Sequence, residues 1–178
     1  MQSPITVSPL ERFLEQPNIE ASPAWEFIDG RSQQKPMPTL FHSRLQRNLV
    51  NAINAQTEKY EAIQELRCVV PPFSPVPDVV VIAVEQLPTT DGPFPGAPDW
   101  LIEILSPDQS TLELQKKILH FMSAGTQLAW LIDIQRQQIW VWQDQDLPLI
   151  YAGNERLPTL DGIEPITVTA VIEMTRNT

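Results

Sequence analysis

Apolar residues along this chain keep one of two spacings, and the switch between them marks helices and strands. Leu45, Leu49, Ala52, Ile53 and Tyr60 follow steps of three and four. That spacing lines one face of a helix and predicts the longest amphipathic helix over about residues 40–64. Its other face carries Arg44, Arg47, Asn48, Asn51 and Lys59. Before it, Ser8-Pro9-Leu10-Glu11 has the spacing of a capped helix start, so a short helix runs from there to about Gln16. Trp25 to Arg31, WEFIDGR, alternates large apolar and acidic residues and stops at Asp29-Gly30, as a strand entering a turn does; a second short strand is expected before Pro36.

From Glu65 onward the runs shorten and become strand-like: Leu66 to Val70, Val79 to Val84 and Trp100 to Leu105. PPFSPVP and LPTTDGPFPGAP separate them and read as loops, because proline lacks the N–H that a central strand needs. Ser110-Thr111-Leu112-Glu113 repeats the capping spacing and opens a helix that ends at Gly125. Leu128 to Ile134 and Gln138 to Trp142 read as a hairpin, and Leu149 to Ala152 and Ile166 to Ile172 as peripheral strands. Helical and strand periods alternating within 178 residues predict one α/β domain over residues 1–178, a mixed central sheet flanked by helices.

Hydrophobic residues at 42% and charged residues at 19% are enough for a packed core. Charge changes the picture more. Twelve Lys and Arg against twenty-two Asp and Glu leave a net charge of -10, so the molecule as a whole repels polyanions and anionic membranes. A nucleic-acid function must then rest on a local basic face or on bound cations. The lone Cys68 cannot form an internal disulfide, and MQSPITVSPLERFLEQ lacks the basic start and apolar stretch of a leader, so the cytoplasm is the expected compartment. The longest apolar run, Val79 to Val84, falls far short of the roughly 20 residues that span a bilayer, so no membrane partner is expected. CxxC, HExxH, P-loop, GxGxxG and GxSxG signatures are missing, and one Cys with two His argues against a structural zinc site.

The informative stretch is Asp78 to Lys117. No basic residue occurs between Cys68 and Gln115, whereas Asp78, Glu85, Asp91, Asp99, Glu103, Asp108 and Glu113 all fall there. Glu103 lies inside WLIEIL, the pattern of a strand buried on both faces, where a carboxylate is costly unless paired, protonated or coordinated. Asp78 stands at the mouth of VVVIAV. If the two strands are neighbours, their carboxylates converge at one end of the sheet, an arrangement suited to a hard divalent cation. With Leu114 centred on the apolar face of the next helix, Lys117 sits about 60° from it and Lys116 almost opposite, so Lys117 borders the core and Lys116 meets water. The plain alternative is a solvated Glu113–Lys117 pair, four residues apart on the helix. Asp99 shares a strand with Glu103, which leaves Asp78 the better partner. His42 is either a neighbour of the site or a surface or hydrogen-bonded residue at the helix start, and Arg44 and Arg47 could contact phosphate, although basic residues on the polar face of an amphipathic helix are more often simply solvated. The tryptophans read as core and interface fillers rather than base-stacking platforms.

An Asp, a Glu and a nearby Lys in this order resemble the PD-(D/E)XK nuclease superfamily. More narrowly, WEFIDG, His42 at the start of the long helix, VPDVVVI, IEILSP, the KILHF that contains Lys117, and GTQLAWLID resemble the bacterial Uma-type family of restriction-endonuclease-like proteins, a domain of unknown function. These stretches run from about Trp25 to Asp133. The resemblance implies an αβββαβ-type core with extra peripheral strands. It implies Asp78, Glu103 and the backbone carbonyl of Ile104 as ligands of Mg²⁺ or Mn²⁺, Lys117 as the catalytic lysine and Glu26 as a further acidic residue. It also implies DNA as substrate and a homodimer that addresses both strands. The short E-x-K spacing is missing: Leu105 stands where the lysine would be, so the lysine has moved to the helix. Glu113 replaces a common Asp, and Gln127-Leu128-Ala129 replaces a more usual Pro-Glu-Tyr. Two functions are compatible with these residues: a metal-dependent DNA endonuclease, and a catalytically silent nuclease-like module that binds a protein or nucleic-acid partner.

Overall fold

The computed structural model describes residues 6–176; residues 1–5, the start of the segment read for a leader, lie outside them. Helix α1 (Pro9–Leu14) begins at the expected capping box, with the Ser8 hydroxyl accepting from the Glu11 N–H and the Glu11 carboxylate accepting from the Ser8 N–H. Strands β1 (Trp25–Ile28) and β2 (Arg31–Gln34) form an antiparallel hairpin. Its two turn residues, Asp29 and Gly30, both have positive φ, 51° and 75°. A two-residue turn of this hand matches the strand twist, and Asp-Gly is the pair that tolerates it.

Helix α2 (Leu40–Asn54) buries Leu45, Leu49 and Ile53, and it is shorter than the sequence pattern predicts. The apolar stripe ends at Ile53, short of Tyr60. The Asn54 side chain then turns the chain back, its Oδ1 accepting from the Ala62 N–H at 2.7 Å and its Nδ2 donating to the Ala62 carbonyl. Tyr60 belongs instead to strand β3 (Tyr60–Gln64), where Tyr60 and Ala62 alternate into the core. The strand expected at Leu66 to Val70 is an extended loop with single bridges to Phe94 and Phe73, because the prolines around it leave no partner for a ladder.

Strands β4 (Val79–Ala83), β5 (Trp100–Ile104) and β6 (Leu128–Asp133) are buried along their whole length. Helix α3 (Thr111–Ser123) connects β5 to β6, which pair in parallel. Its cap is the Ser110 hydroxyl accepting from the Glu113 N–H, and Gly125, at φ 116°, follows its C-cap. Strand β7 (Gln138–Trp142) completes the expected hairpin with β6. Strand β8 (Leu149–Ala152), expected to be peripheral, is the edge of the central sheet, whose order is β3-β4-β5-β6-β7-β8. β9 (Arg156–Leu157) and β10 (Ile166–Thr167) form a separate pair, and α4 (Val168–Glu173) follows. Residues 168–173 are therefore helical rather than extended, since the Thr167 hydroxyl caps the Ala170 N–H and Val168 and Val171 bury one face.

The segment α2-β3-β4-β5-α3-β6 is the αβββαβ core, with only β5 and β6 parallel. On one face Val79, Val81, Trp100, Ile102 and Trp130 pack under α2 and α4; on the other Val80, Ile82, Leu101 and Leu131 pack under α3. Trp100 and Trp130 meet edge to face at 4.7 Å, so these tryptophans are core. No helix among the described residues is long and apolar enough to cross a membrane.

Candidate functional site

Strand register builds the site. Val79 pairs with Gln64 on one side and Ile102 on the other, so one step further along, Glu65, Asp78 and Glu103 form a row across β3, β4 and β5. The Glu65 N–H donates to the Asp78 carbonyl, which fixes that step. Directly opposed residues project on the same face. Glu103, opposite Leu131, therefore lies on the face covered by α3, the helix that carries Lys117, whereas the Asp78 carboxylate at the strand end reaches the Ile104 N–H and His42 of α2.

Asp78, Glu103, Glu26 and Lys117 are all buried, each no more than 4% exposed. Lys117 Nζ lies 2.5 Å from Glu26 Oε1 and 2.5 Å from Glu103 Oε1. Glu26 Oε1 also accepts from the Val76 N–H at 2.7 Å, which ties the β1–β2 hairpin to the loop before β4. The solvated Glu113–Lys117 pair does not form: Glu113 pairs with Lys116, at 3.5 Å on the outer face. Asp78 Oδ2 accepts from the Ile104 N–H at 2.7 Å, and Asp78 Oδ1 receives Lys35 Nζ at 2.9 Å and faces His42 Nε2 at 3.4 Å. The structure thus brings together all four sequence-derived side chains, with Ile104 and His42 beside them. Asp99 is taken up elsewhere, accepting from the Ala83 N–H and from Gln127. Arg44 and Arg47 do not line the site.

Sequence reasoning missed Lys35, Gln46 and Glu65. Lys35 donates to both Glu65 oxygens at 3.1 Å and to the Val76 carbonyl at 2.8 Å. Gln46, on the inner face of α2, donates to Glu65 Oε1 and to the Asp78 carbonyl. Reading residues 60–64 as helix hid Glu65, which becomes an acid beside Asp78 only once β3 is a strand. Lys35 follows β2 in a run of polar residues without periodicity, so only the three-dimensional return of the hairpin reveals it.

Burial disfavours every charge here, and neighbours decide which charges persist. Burial raises the Asp78 carboxyl, but Lys35 and then His42 outweigh it and hold the group well below the usual carboxylate range. Burial raises Glu103; Lys117 opposes and Asp78 adds to the rise, so Glu103 ends above its ordinary value. Burial lowers the Lys117 ammonium, yet Glu103 and Glu26 beside it leave it above its ordinary value. His42 follows the same pattern, burial pulling it down and the Asp78 contact raising it on balance.

A cavity of about 210 Å³ opens on Lys35, His42, Gln46, Glu65, Asp78 and Glu103. A larger one of about 720 Å³, with exposed Leu40 and Phe41 on its wall, shares His42, Ser106 and Gln109 with it. Carboxylate and carbonyl oxygens at a cavity floor form a hard donor set, which fits Mg²⁺ or Mn²⁺ better than a soft metal. His42, Glu65 and Asp78 present ligand atoms within 4.8 Å of one another.

The family model of Uma2, described as "Putative restriction endonuclease", matches residues 10–172. Among solved structures, a protein from Anabaena variabilis ATCC 29413, described as a "putative nuclease belonging to DUF820", is 35% identical with a TM-score of 0.87. The match covers 94% of this chain and 98% of that one. No curated protein matches the sequence. With a family model spanning nearly the whole chain, and a solved relative that shares its fold from end to end, the chain belongs to the Uma2 family of restriction-endonuclease-like proteins.

Proposed function

We propose that the protein is a metal-dependent endonuclease that hydrolyses DNA phosphodiester bonds, with Asp78, Glu103, Lys117 and Glu26 as its catalytic set. One observation carries this reading: a lysine and three carboxylates converge, buried, beside a cavity at one end of the sheet. Packing alone gains little from such a cluster, since each ion pays several kcal/mol of desolvation, and apolar residues of the same volume are often as stable or more so. Asp78, Glu103 and the backbone carbonyl of Ile104 would hold Mg²⁺ or Mn²⁺. When bound, the ion polarises the scissile phosphate and lowers the pKa of an attacking water. Lys117 supplies positive charge where the phosphate becomes more negative, and Glu26 holds that ammonium against Glu103.

The net charge of -10 favours the second reading, a nuclease-like module that binds a partner without cleaving it. Cleavage separates the two. Purified protein offered single-stranded, duplex and branched DNA should cut at least one form with Mn²⁺ and none with EDTA, and Lys117→Ala should remove the activity. No cleavage of any form would favour the binding module, and cleavage that survives in Lys117→Ala would place the chemistry elsewhere. We also propose a homodimer, supported by the outer edge of β8, unpaired among the described residues, where Leu149 and Ile150 are exposed with Leu147 just before the strand.

A further inference from the structure

We propose that Lys35 is a built-in second cation of this site, its ammonium filling the position between Asp78, Glu65 and His42 that a second divalent ion would take. This rests on the reading of Asp78 as a ligand of the first ion. The contacts of Lys35 Nζ are those of a hard-cation site: Asp78 Oδ1 at 2.9 Å, both Glu65 oxygens at 3.1 Å and the Val76 carbonyl at 2.8 Å. Carboxylates and a backbone carbonyl are the donors such cations select. His42 Nε2 stands 3.4 Å from the same Asp78 oxygen. The side chain of Lys35 is only 9% exposed, so this ammonium is enclosed rather than resting on a surface.

Asp78 divides its two oxygens. Oδ1 faces Lys35 and His42, and Oδ2 faces the Ile104 N–H on the strand of Glu103. With Oδ1 on Lys35, Oδ2 is the oxygen left toward the strand of Glu103, so Asp78 would lie between Lys35 and a first ion held with Glu103. Charge balance favours one metal ion with one lysine over two metal ions. Four carboxylates, Glu26, Glu65, Asp78 and Glu103, surround two ammoniums, Lys35 and Lys117, with His42 beside them, so even with every carboxylate ionised they leave no more than two negative charges, which one divalent ion neutralises. A second divalent ion would overcharge a site whose Asp78, Glu103 and Glu26 are desolvated, where unbalanced charge is costly. The backbone keeps Lys35 in place: its N–H donates to the Ala24 carbonyl at 2.9 Å, and Pro36 follows. Lys117 lacks this arrangement, being clasped by Glu26 and Glu103 on the far side of the row.

A purely structural Lys35 would stabilise its neighbours without bearing on metal stoichiometry. The test counts Mn²⁺ ions on the full chain by isothermal titration and follows melting temperature with and without Mn²⁺, for wild type, Lys35→Met and Lys35→Met with Glu65→Gln. Wild type should bind one ion, Lys35→Met two, and the double variant one. Lys35→Met should melt lower than wild type without metal and recover in Mn²⁺, since an ion that binds only the folded state stabilises it. Lys35→Gln, measured in parallel, should gain the same ion. Two ions on wild type would overturn the proposal, as would no gained ion in both Lys35 variants, or unfolding of both that Mn²⁺ does not reverse. If wild type binds none and Lys35→Met gains one that Glu65→Gln removes, Lys35 keeps its role, and the assignment of Asp78 and Glu103 to a first ion fails instead.

Discussion

Replacing Lys117 by methionine would leave Glu26 and Glu103 facing each other in the interior without the ammonium that now lies 2.5 Å from each. Breaking a buried pair from one side costs about 3–5 kcal/mol, so Lys117→Met should show a large drop in denaturant midpoint. Glu103→Gln should behave differently, because it removes a desolvated carboxylate and leaves Lys117 paired with Glu26; its melting temperature should equal or exceed that of wild type. A clear fall would mean that the Glu103 charge supports the fold. Cys68 offers an independent check on the interior. Burial first, against the nearby Lys117, pushes its thiol up to about 12. Labelling by a thiol reagent should therefore stay near zero from pH 7 to 9 in the native protein and become rapid on unfolding, whereas an ordinary thiol near 8.5 would gain reactivity across that range. The sequence revealed Asp78, Glu103 and Lys117 because an acid inside WLIEIL and a lysine on the border of an apolar helix face both break the hydrophobic pattern. Lys35 and Glu65 break no pattern, and their importance comes from register and from the return of a hairpin.

Secondary-structure elements follow the sequence where a side-chain cap marks their start, as at Ser8 and Ser110. They depart from it where tertiary contacts decide. Asn54 ends α2 by bonding to Ala62, a side-chain contact that helical periodicity does not encode. The residues 166–172 look extended because Ile166, Val168 and Ile172 keep even spacing, yet the Thr167 cap commits most of them to α4. Two substitutions test these elements. Ser110→Ala should cost about 1 kcal/mol through the lost cap of α3. Leu45→Ala, at a fully buried position under the sheet, should cost about 2–5 kcal/mol. Equal small effects from both would contradict the assignment of α2 to the core and Ser110 to an exposed cap.

Across the whole molecule, the two apolar layers share one sheet, so we propose that the chain folds as a unit. Thermal unfolding followed by tryptophan fluorescence and by far-ultraviolet circular dichroism should give coincident single transitions. The dimer proposed through β8 predicts twice the monomer mass in light scattering, and Leu149→Lys, placing a charge on that edge, should return it to monomer. A net charge of -10 also predicts weak non-specific DNA binding, and whatever binding its Lys and Arg make to phosphates should weaken as salt rises. The measurement that bears most directly on the central claim is the rate of DNA cleavage in Mn²⁺ by Glu103→Gln beside wild type, both verified as folded by their melting transitions. The account predicts a metal-dependent wild-type rate that falls at least about a hundred-fold in the variant; a folded Glu103→Gln protein that cuts at the wild-type rate would contradict it.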